Sequence, residues 1–221
     1  MTKAQREAYG LKLGESIGAL RAMAPEEILT KARETTNGDR TGLETSVDGY
    51  VLPVAPAIVR GAAMPLITGV TAQEVSGPDT AAPSSMKSDP LYGSPGTQLA
   101  TDAGFRCPAI VQAIDHAKAR QVTYVYEFEH PPPGRAATGH SSELNFEFGT
   151  WGQETRLTPA DEKLSEQMQA YWANFVKTGD PNGEGLPAWP KFTVERREYL
   201  AFTGSGAAAK AGLRQAFCGI P

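Results

Sequence analysis

One imidazole and one carboxylate carry most of the chemistry that these residues could perform. His140 stands in Gly139-His140-Ser141-Ser142-Glu143-Leu144, beyond an alternating run of β-branched and aromatic residues (Val122, Tyr124, Tyr126, Phe128) and a Pro/Gly-rich loop. Glu74 follows a nearly continuous apolar run from Met64 to Thr71. Open α/β sheets keep their ligands just past the carboxyl ends of strands. There a carboxylate can fix the tautomer of an imidazole and support the imidazolium that forms when a nucleophile loses its proton. Such a pair is two thirds of an acyl-transfer triad; taken singly, Glu74 also reads as a solvated loop carboxylate and His140 as a structural or surface residue.

The remaining third is a nucleophile, and chain order puts it upstream of Glu74 on its own strand–turn–helix. Gly14-Glu15-Ser16-Ile17-Gly18 matches the letters of a nucleophile elbow, but the residues before it, REAYGLKL, are amphipathic and charged rather than a buried strand. The main reading of this segment is a small-residue helix or turn, with Ser16 kept as the alternative nucleophile. No glycine-rich loop offers oxyanion N–H groups. His130, beside Pro131-Pro132-Pro133, reads as a loop residue and His116 as a helix-face residue. The three histidines lack the spacing of a zinc site, so neither metal nor cofactor is expected. Cys107 and Cys218 are far apart, and read alone they fit two reduced core residues or one long-range disulfide.

At 221 residues and 23.5 kDa the chain is long enough for one domain with a sizeable core. A formal charge of -4 and a pI near 5.5, with no block of Lys or Arg, argue against nucleic acid as a partner. No apolar run is long enough to cross a bilayer, and MTKAQREAYG has no apolar core of a secretory signal.

The elements that must position the two groups follow from periodicity and punctuation. Residues 2–23 read as one helix, and Pro25-Glu26-Glu27 opens a second through Leu29 and Ala32. Residues 35–46 are polar and turn-rich, and Val47–Pro53 is a turn into a short extended piece. The run 64–71 is a strand covered on both faces. Residues 76–100 carry few order signals and read as a mobile surface loop or as a segment ordered only by a neighbour. Thr101 or Asp102 caps a helix bearing Phe105, Cys107, Ile110, Val111 and Ile114 and ending near Arg120. Thr158-Pro159-Ala160-Asp161 is a capped helix start, the apolar face is Leu164, Met168, Tyr171, Trp172 and Phe175, and Gly179 ends it. Tyr199–Phe202 suggests a small terminal ribbon, after which a Gly/Ala-rich stretch leads to Leu213, Phe217 and Cys218.

Several of these segments resemble the C-terminal portion of a type B carboxylesterase, the family of para-nitrobenzyl esterases, fungal lipases and cholinesterases. They are LRAMAPEEIL, VDGYVLP, PLITGVTAQE, TDAGFRCP, GHSSELNFEFG and, most specifically, YWANFVKTGDPNGEGLPAWPKF. The resemblance implies an α/β fold over residues 1–221, the C-terminal part of an α/β-hydrolase with an incomplete mixed sheet and packed helices. It maps the triad acid to Glu74 and the base to His140, makes Glu143 and Phe148 loop-shaping neighbours, and pairs Cys107 with Cys218. A disulfide implies an oxidising compartment, hence a secreted or periplasmic parent protein. The family's serine elbow and oxyanion loop belong to a first half that these residues do not include. The complete enzyme would hydrolyse a small-molecule carboxylic ester through an acyl-enzyme, while this chain alone is expected to be inactive or nearly so. Alternatives are an inactive fragment acting as a binding module, or a self-sufficient esterase using Ser16. The expected partner is the missing N-terminal half or a second copy pairing through an exposed sheet edge.

Overall fold

Residues 2–36, 46–54 and 63–218 are described in this computed structural model. The chain divides into two compact units, Met1–Arg60 and Gly61–Pro221. In the first, the single helix expected over 2–23 is two helices, α1 (Lys3–Leu13) and α2 (Ile17–Ala22). The break follows from Gly14 and Ser16. The side chain of Leu20 lies where a Cβ on Gly14 would be, and Ser16 Oγ accepts from the Ala19 N–H at 3.1 Å as the N-cap of α2. Helix α3 (Pro25–Thr36) opens on its proline, with the Ala24 carbonyl accepting from Glu27 and Ile28. The Val47–Pro53 turn is held by Asp48, whose carboxylate accepts from the N–H groups of Tyr50 and Leu52 at 2.9 Å each. Its only extended element is the bridge of Val47 to Thr2. Most of the polar stretch 35–46, namely 37–45, lies outside the described residues.

The second unit is an open mixed sheet in the order β1-β2-β3-β4: β1 (Leu66–Thr71), β2 (Thr123–Phe128), β3 (Glu198–Thr203) and β4 (Gly206–Ala211). The first three strands are parallel and β4 is antiparallel to β3. Helix α4 (Pro95–Thr101) runs through one π turn, Asp102–Arg106, into α5 (Cys107–Lys118). Helix α6 (Leu144–Phe148) and the 20-residue α7 (Pro159–Thr178) complete the layers, and α8 (Gln215–Cys218) ends the described chain.

All six residues of β2 are buried, and its alternation sorts them between two cores. Tyr124, Tyr126 and Phe128 join Leu200 and Phe202 of β3, Phe146, Trp189, and Leu164, Met168 and Tyr171 of α7. Val125 joins Tyr199 and Ala201 of β3, Ile110, Ala113 and Ile114 of α5, Phe192 and Leu213. Period two along a strand thus becomes a helix layer on each face of the sheet. The cap of α7 is as read: Thr158 Oγ accepts from the Asp161 N–H at 3.2 Å, and Asp161 Oδ2 accepts from the Thr158 N–H at 2.8 Å. Gly179 takes the left-handed conformation that ends the helix.

Three expectations are corrected. Strand β1 is not covered on both faces: Leu66–Gly69 are half-buried, and β2 is its only partner among the described residues. The Tyr199–Phe202 run is an interior strand of the main sheet, and the Gly/Ala-rich stretch after it is strand β4. Of the two readings of residues 76–100 the ordered one holds, though no periodicity announces it. Asp79 accepts from the Ser94 hydroxyl at 2.6 Å and the Gly96 N–H at 2.8 Å, while Gln98 donates to the carbonyls of Lys87 and Gly93. Finally, Thr101 and Asp102 do not cap a helix, because α4 and the π turn carry the helical backbone through them.

Candidate active site

The turn after β1 and the loop after β2 bring Glu74 and His140 together. Glu74 Oε2 lies 2.6 Å from His140 Nδ1. The other carboxylate oxygen accepts from the Thr71 N–H at 2.7 Å, within the same tight turn. The two backbones are joined as well, since the His140 N–H donates to the Glu74 carbonyl at 3.1 Å. The Glu74 N–H donates to the Thr101 hydroxyl at 3.1 Å, and the neighbouring Gln73 N–H donates to Thr138 at 2.9 Å. The ring of Phe105 stands 5.2 Å from that of His140, tilted by 53°.

Burial of the pair is strongly asymmetric. The Glu74 side chain is 5% exposed and that of His140 is 62% exposed. A buried, hydrogen-bonded acid sets the imidazole with Nδ1–H toward it, which leaves Nε2 as the acceptor on the exposed side. Among the described residues no group hydrogen-bonds to His140 Nε2. A base in this state can take a proton from a hydroxyl brought to it.

Glu143 anchors the histidine loop to β2, accepting from the Tyr126 hydroxyl at 3.3 Å. Its second oxygen is buried without a hydrogen bond. Burial raises its pKa, and the negative charge of Glu74 adds to the rise. Glu147, one helical turn further on, is pushed up to about 7 by burial and by the charge of Glu143. Phe148 is 67% exposed at the end of α6. The aromatic that packs beneath the loop is Phe146, fully buried between Phe128 and Trp151.

Ser16 belongs to the first unit and is committed to capping α2; the segment before it is α1 rather than a strand. Among the described residues there is no cluster of His, Cys, Asp and Glu fit for a metal ion, and no helix is long and apolar enough to cross a membrane. Cys107 and Cys218 form a disulfide, with Cα atoms 5.3 Å apart.

A second histidine–carboxylate pair is present. His130 Nε2 lies 2.6 Å from Asp161 Oδ1. The ring packs edge-on against Phe146 and the side chain is 16% exposed. Asp161 is also the capping carboxylate of α7. Burial alone would raise its pKa, and hydrogen bonds from His130 and Thr158 outweigh that and lower it.

Sequence reasoning misses several site neighbours. Thr101 reads as a helix cap, yet its hydroxyl serves the Glu74 backbone. Arg106, in Phe105-Arg106-Cys107, is fully buried and donates from Nη2 to the carbonyls of Thr71 and Ala72, at 3.3 and 2.7 Å. Its Nε donates to buried Glu127 at 3.0 Å. A glutamate inside the otherwise apolar run of β2 is the one signal that a buried cation must lie nearby.

The solved structures that resemble this chain include a PNB esterase, with TM-score 0.73 and 23% identity over 98% of this chain and 54% of that one. A thermophilic PNB esterase aligns with TM-score 0.73 and 25% identity, over 98% and 53% of the respective chains. Among curated proteins, carboxylesterase 5A of Canis lupus familiaris is 39% identical over 115 residues, 46% of this chain and 20% of that protein. The cocaine esterase of Homo sapiens is 38% identical over 112 residues, 47% and 20% of the two. The chain therefore spans about half the length of the matched structures and about a fifth of these curated relatives is aligned. A match to the family model described as "Carboxylesterase family" runs over residues 86–220 and takes in His140 and both cysteines. With that match covering more than half its length, the chain belongs to the carboxylesterase family.

Proposed function

We propose that this chain supplies the acid and the base of a serine carboxylesterase, Glu74 and His140, and that the nucleophile comes from polypeptide beyond it. The observation that carries this reading is the 2.6 Å contact of a buried Glu74 with the inner nitrogen of an exposed His140. In the complete enzyme His140 Nε2 takes the proton of the serine hydroxyl as its oxygen attacks the ester carbonyl. The resulting imidazolium, supported by Glu74, gives that proton to the departing alcohol and leaves an acyl-enzyme. Water then enters with His140 again as base, and the carboxylic acid departs. Loss of the imidazole alone removes the proton transfer, an effect of about 10²–10⁴-fold or more. The side of β1 that has no strand partner among the described residues is the natural seat for the rest of the enzyme or, failing that, for a second copy.

A second reading uses the other pair, His130 and Asp161, at the same separation. It is weaker, because Asp161 is already spent on the α7 cap and the His130 ring is largely enclosed. One set of measurements decides between them. The isolated chain should not turn over a short-chain para-nitrophenyl ester or take a fluorophosphonate label. Activity should appear only with the remaining polypeptide, and His140→Ala should abolish it while His130→Ala leaves most of it. Turnover by the isolated chain that vanishes with His140→Ala would overturn the need for an outside nucleophile. Loss with His130→Ala and not His140→Ala would move the site to the second pair.

A further inference from the structure

A continuous polar chain runs from the disulfide to the acid. Cys107 opens α5 and its partner Cys218 closes α8. One turn before Cys218, Arg214 lies over the rings of Phe217 and Tyr92, 3.8 and 4.4 Å from their centroids. Its Nη2 donates to Asp102 Oδ2 at 2.7 Å and to Gln98 Oε1 at 3.1 Å. The other oxygen of Asp102 accepts from Arg106 Nη1. Arg106 reaches inward to the carbonyls of Thr71 and Ala72, and the Thr71 N–H donates to Glu74. Glu127 closes the network, accepting from Arg106 Nε at 3.0 Å and from the Tyr92 hydroxyl at 3.0 Å. Two guanidinium groups face two carboxyl groups; burial pushes the pKa of Glu127 above its ordinary range, and Arg106 acts against the rise. An ion pair broken on one side would leave a desolvated charge behind, which is what makes such a network rigid.

The need for it lies in β1. This strand has a single neighbour among the described residues, so β2 alone cannot fix the position of its carboxyl end. A planar guanidinium can: its donors leave in fixed directions, and here they clamp the carbonyls of Thr71, the last residue of β1, and of Ala72 just beyond it, three and two residues before Glu74. We propose that Arg106 is a positioning residue for Glu74, and that the Cys107–Cys218 disulfide locks it in place through Arg214 and Asp102. The inference rests on the reading of Glu74 and His140 as the acid–base pair. It adds that the pair's geometry depends on the redox state of a bond formed by neither residue.

Ring-nitrogen chemical shifts of the histidines in the ¹⁵N-labelled full chain test it, because they report which nitrogen carries the proton. In the oxidised protein His140 should hold its proton on Nδ1, and Glu74→Gln should abolish that preference. Arg214→Met keeps an apolar body against Tyr92 while removing the charge, and a dithiol reduces the disulfide to two thiols as it forms its own disulfide. Each should shift the His140 tautomer ratio toward Nε2–H by roughly threefold or more, as a population shift away from the held state. His130, held by Asp161 outside the network, should not change and serves as the control in the same spectrum. An unchanged His140 under both perturbations overturns the proposal, as does an equal change at both histidines, which would mean general loosening. A His140 indifferent to Glu74→Gln would instead sink the acid–base reading itself, and the proposal with it.

Discussion

Gly69 is the point where the core meets the histidine loop, and replacing it with alanine is the sharpest test of that link. Gly69 pairs with Tyr126 across β1 and β2, and the Tyr126 ring occupies the space that a Cβ at 69 would need. The ring has nowhere to go. Trp172, Phe202 and Trp189 surround it, with centroids 5.4, 6.1 and 6.5 Å away. Overpacking of this kind costs about 1–3 kcal/mol. A displaced ring also takes its hydroxyl from Glu143 Oε1, which loses a buried hydrogen bond worth about 1 kcal/mol. Two effects act the other way. Glycine to alanine stiffens the unfolded chain by about 0.4–1 kcal/mol, and β1 can yield outward because no strand pairs with its far side among the described residues. The balance is a loss of about 2 kcal/mol, the overpacking term winning. Urea unfolding followed by tryptophan fluorescence should show the midpoint fall with the slope unchanged. In a Tyr126→Leu background the alanine should be close to neutral, since the two residues share one space. A Gly69→Ala protein as stable as the parent, or the same loss in both backgrounds, would refute the account.

Two further outcomes concern the charged groups around the site. The pKa of Glu147, about 7, is raised by burial and by Glu143, so the folded state favours its protonated form. That contribution is present in full below the ordinary value of 4.5 and is lost as pH rises through 7. Allowing for solvent screening, urea midpoints should record about 1 kcal/mol lost between pH 5 and 8, and Glu147→Gln should remove that slope. Asp161 has the opposite sign: its lowered pKa gives stability present above 3.8 and lost as pH falls through the folded-state value. Asp161→Ala should cost about 1–2 kcal/mol at pH 7 and flatten the acid limb, with no change in the His140 tautomer.

What the sequence reveals of this fold is what period and punctuation can encode. The alternation of Tyr124, Tyr126 and Phe128 names one face of β2, and the structure puts all three in one core. Thr158-Pro159 and Gly179 mark both ends of α7 to the residue. The hidden parts depend on partners far along the chain. Residues 76–100 are ordered by side chains such as Asp79 and Gln98 reaching backbone groups, and by the close approach of Gly77 to Gly96. No local pattern records such contacts. The break between α1 and α2 was open to reading, because a serine beside small residues is as good a cap as an elbow. Arg106 was not: its carboxylate and carbonyl partners are 4, 21, 34 and 35 residues away.

Two histidine–carboxylate pairs at the same separation show why distance alone does not assign a role. At His130 the carboxylate also caps a helix and the ring is enclosed on Phe146, so the pair ties the loop after β2 to α7. At His140 the carboxylate of Glu74 accepts from the Thr71 N–H within its own turn, the Glu74 backbone N–H donates to Thr101, and the imidazole is largely exposed. The groups that hold Glu74 and His140 come from residues 71–140 of one compact unit, with Arg106 and its network behind them. An acid–base pair supported in this way can stand ready before a nucleophile arrives. Under the proposed assignment, what the rest of the enzyme must bring is then narrow: a hydroxyl within hydrogen-bond reach of His140 Nε2, and donors for the oxyanion that forms opposite it.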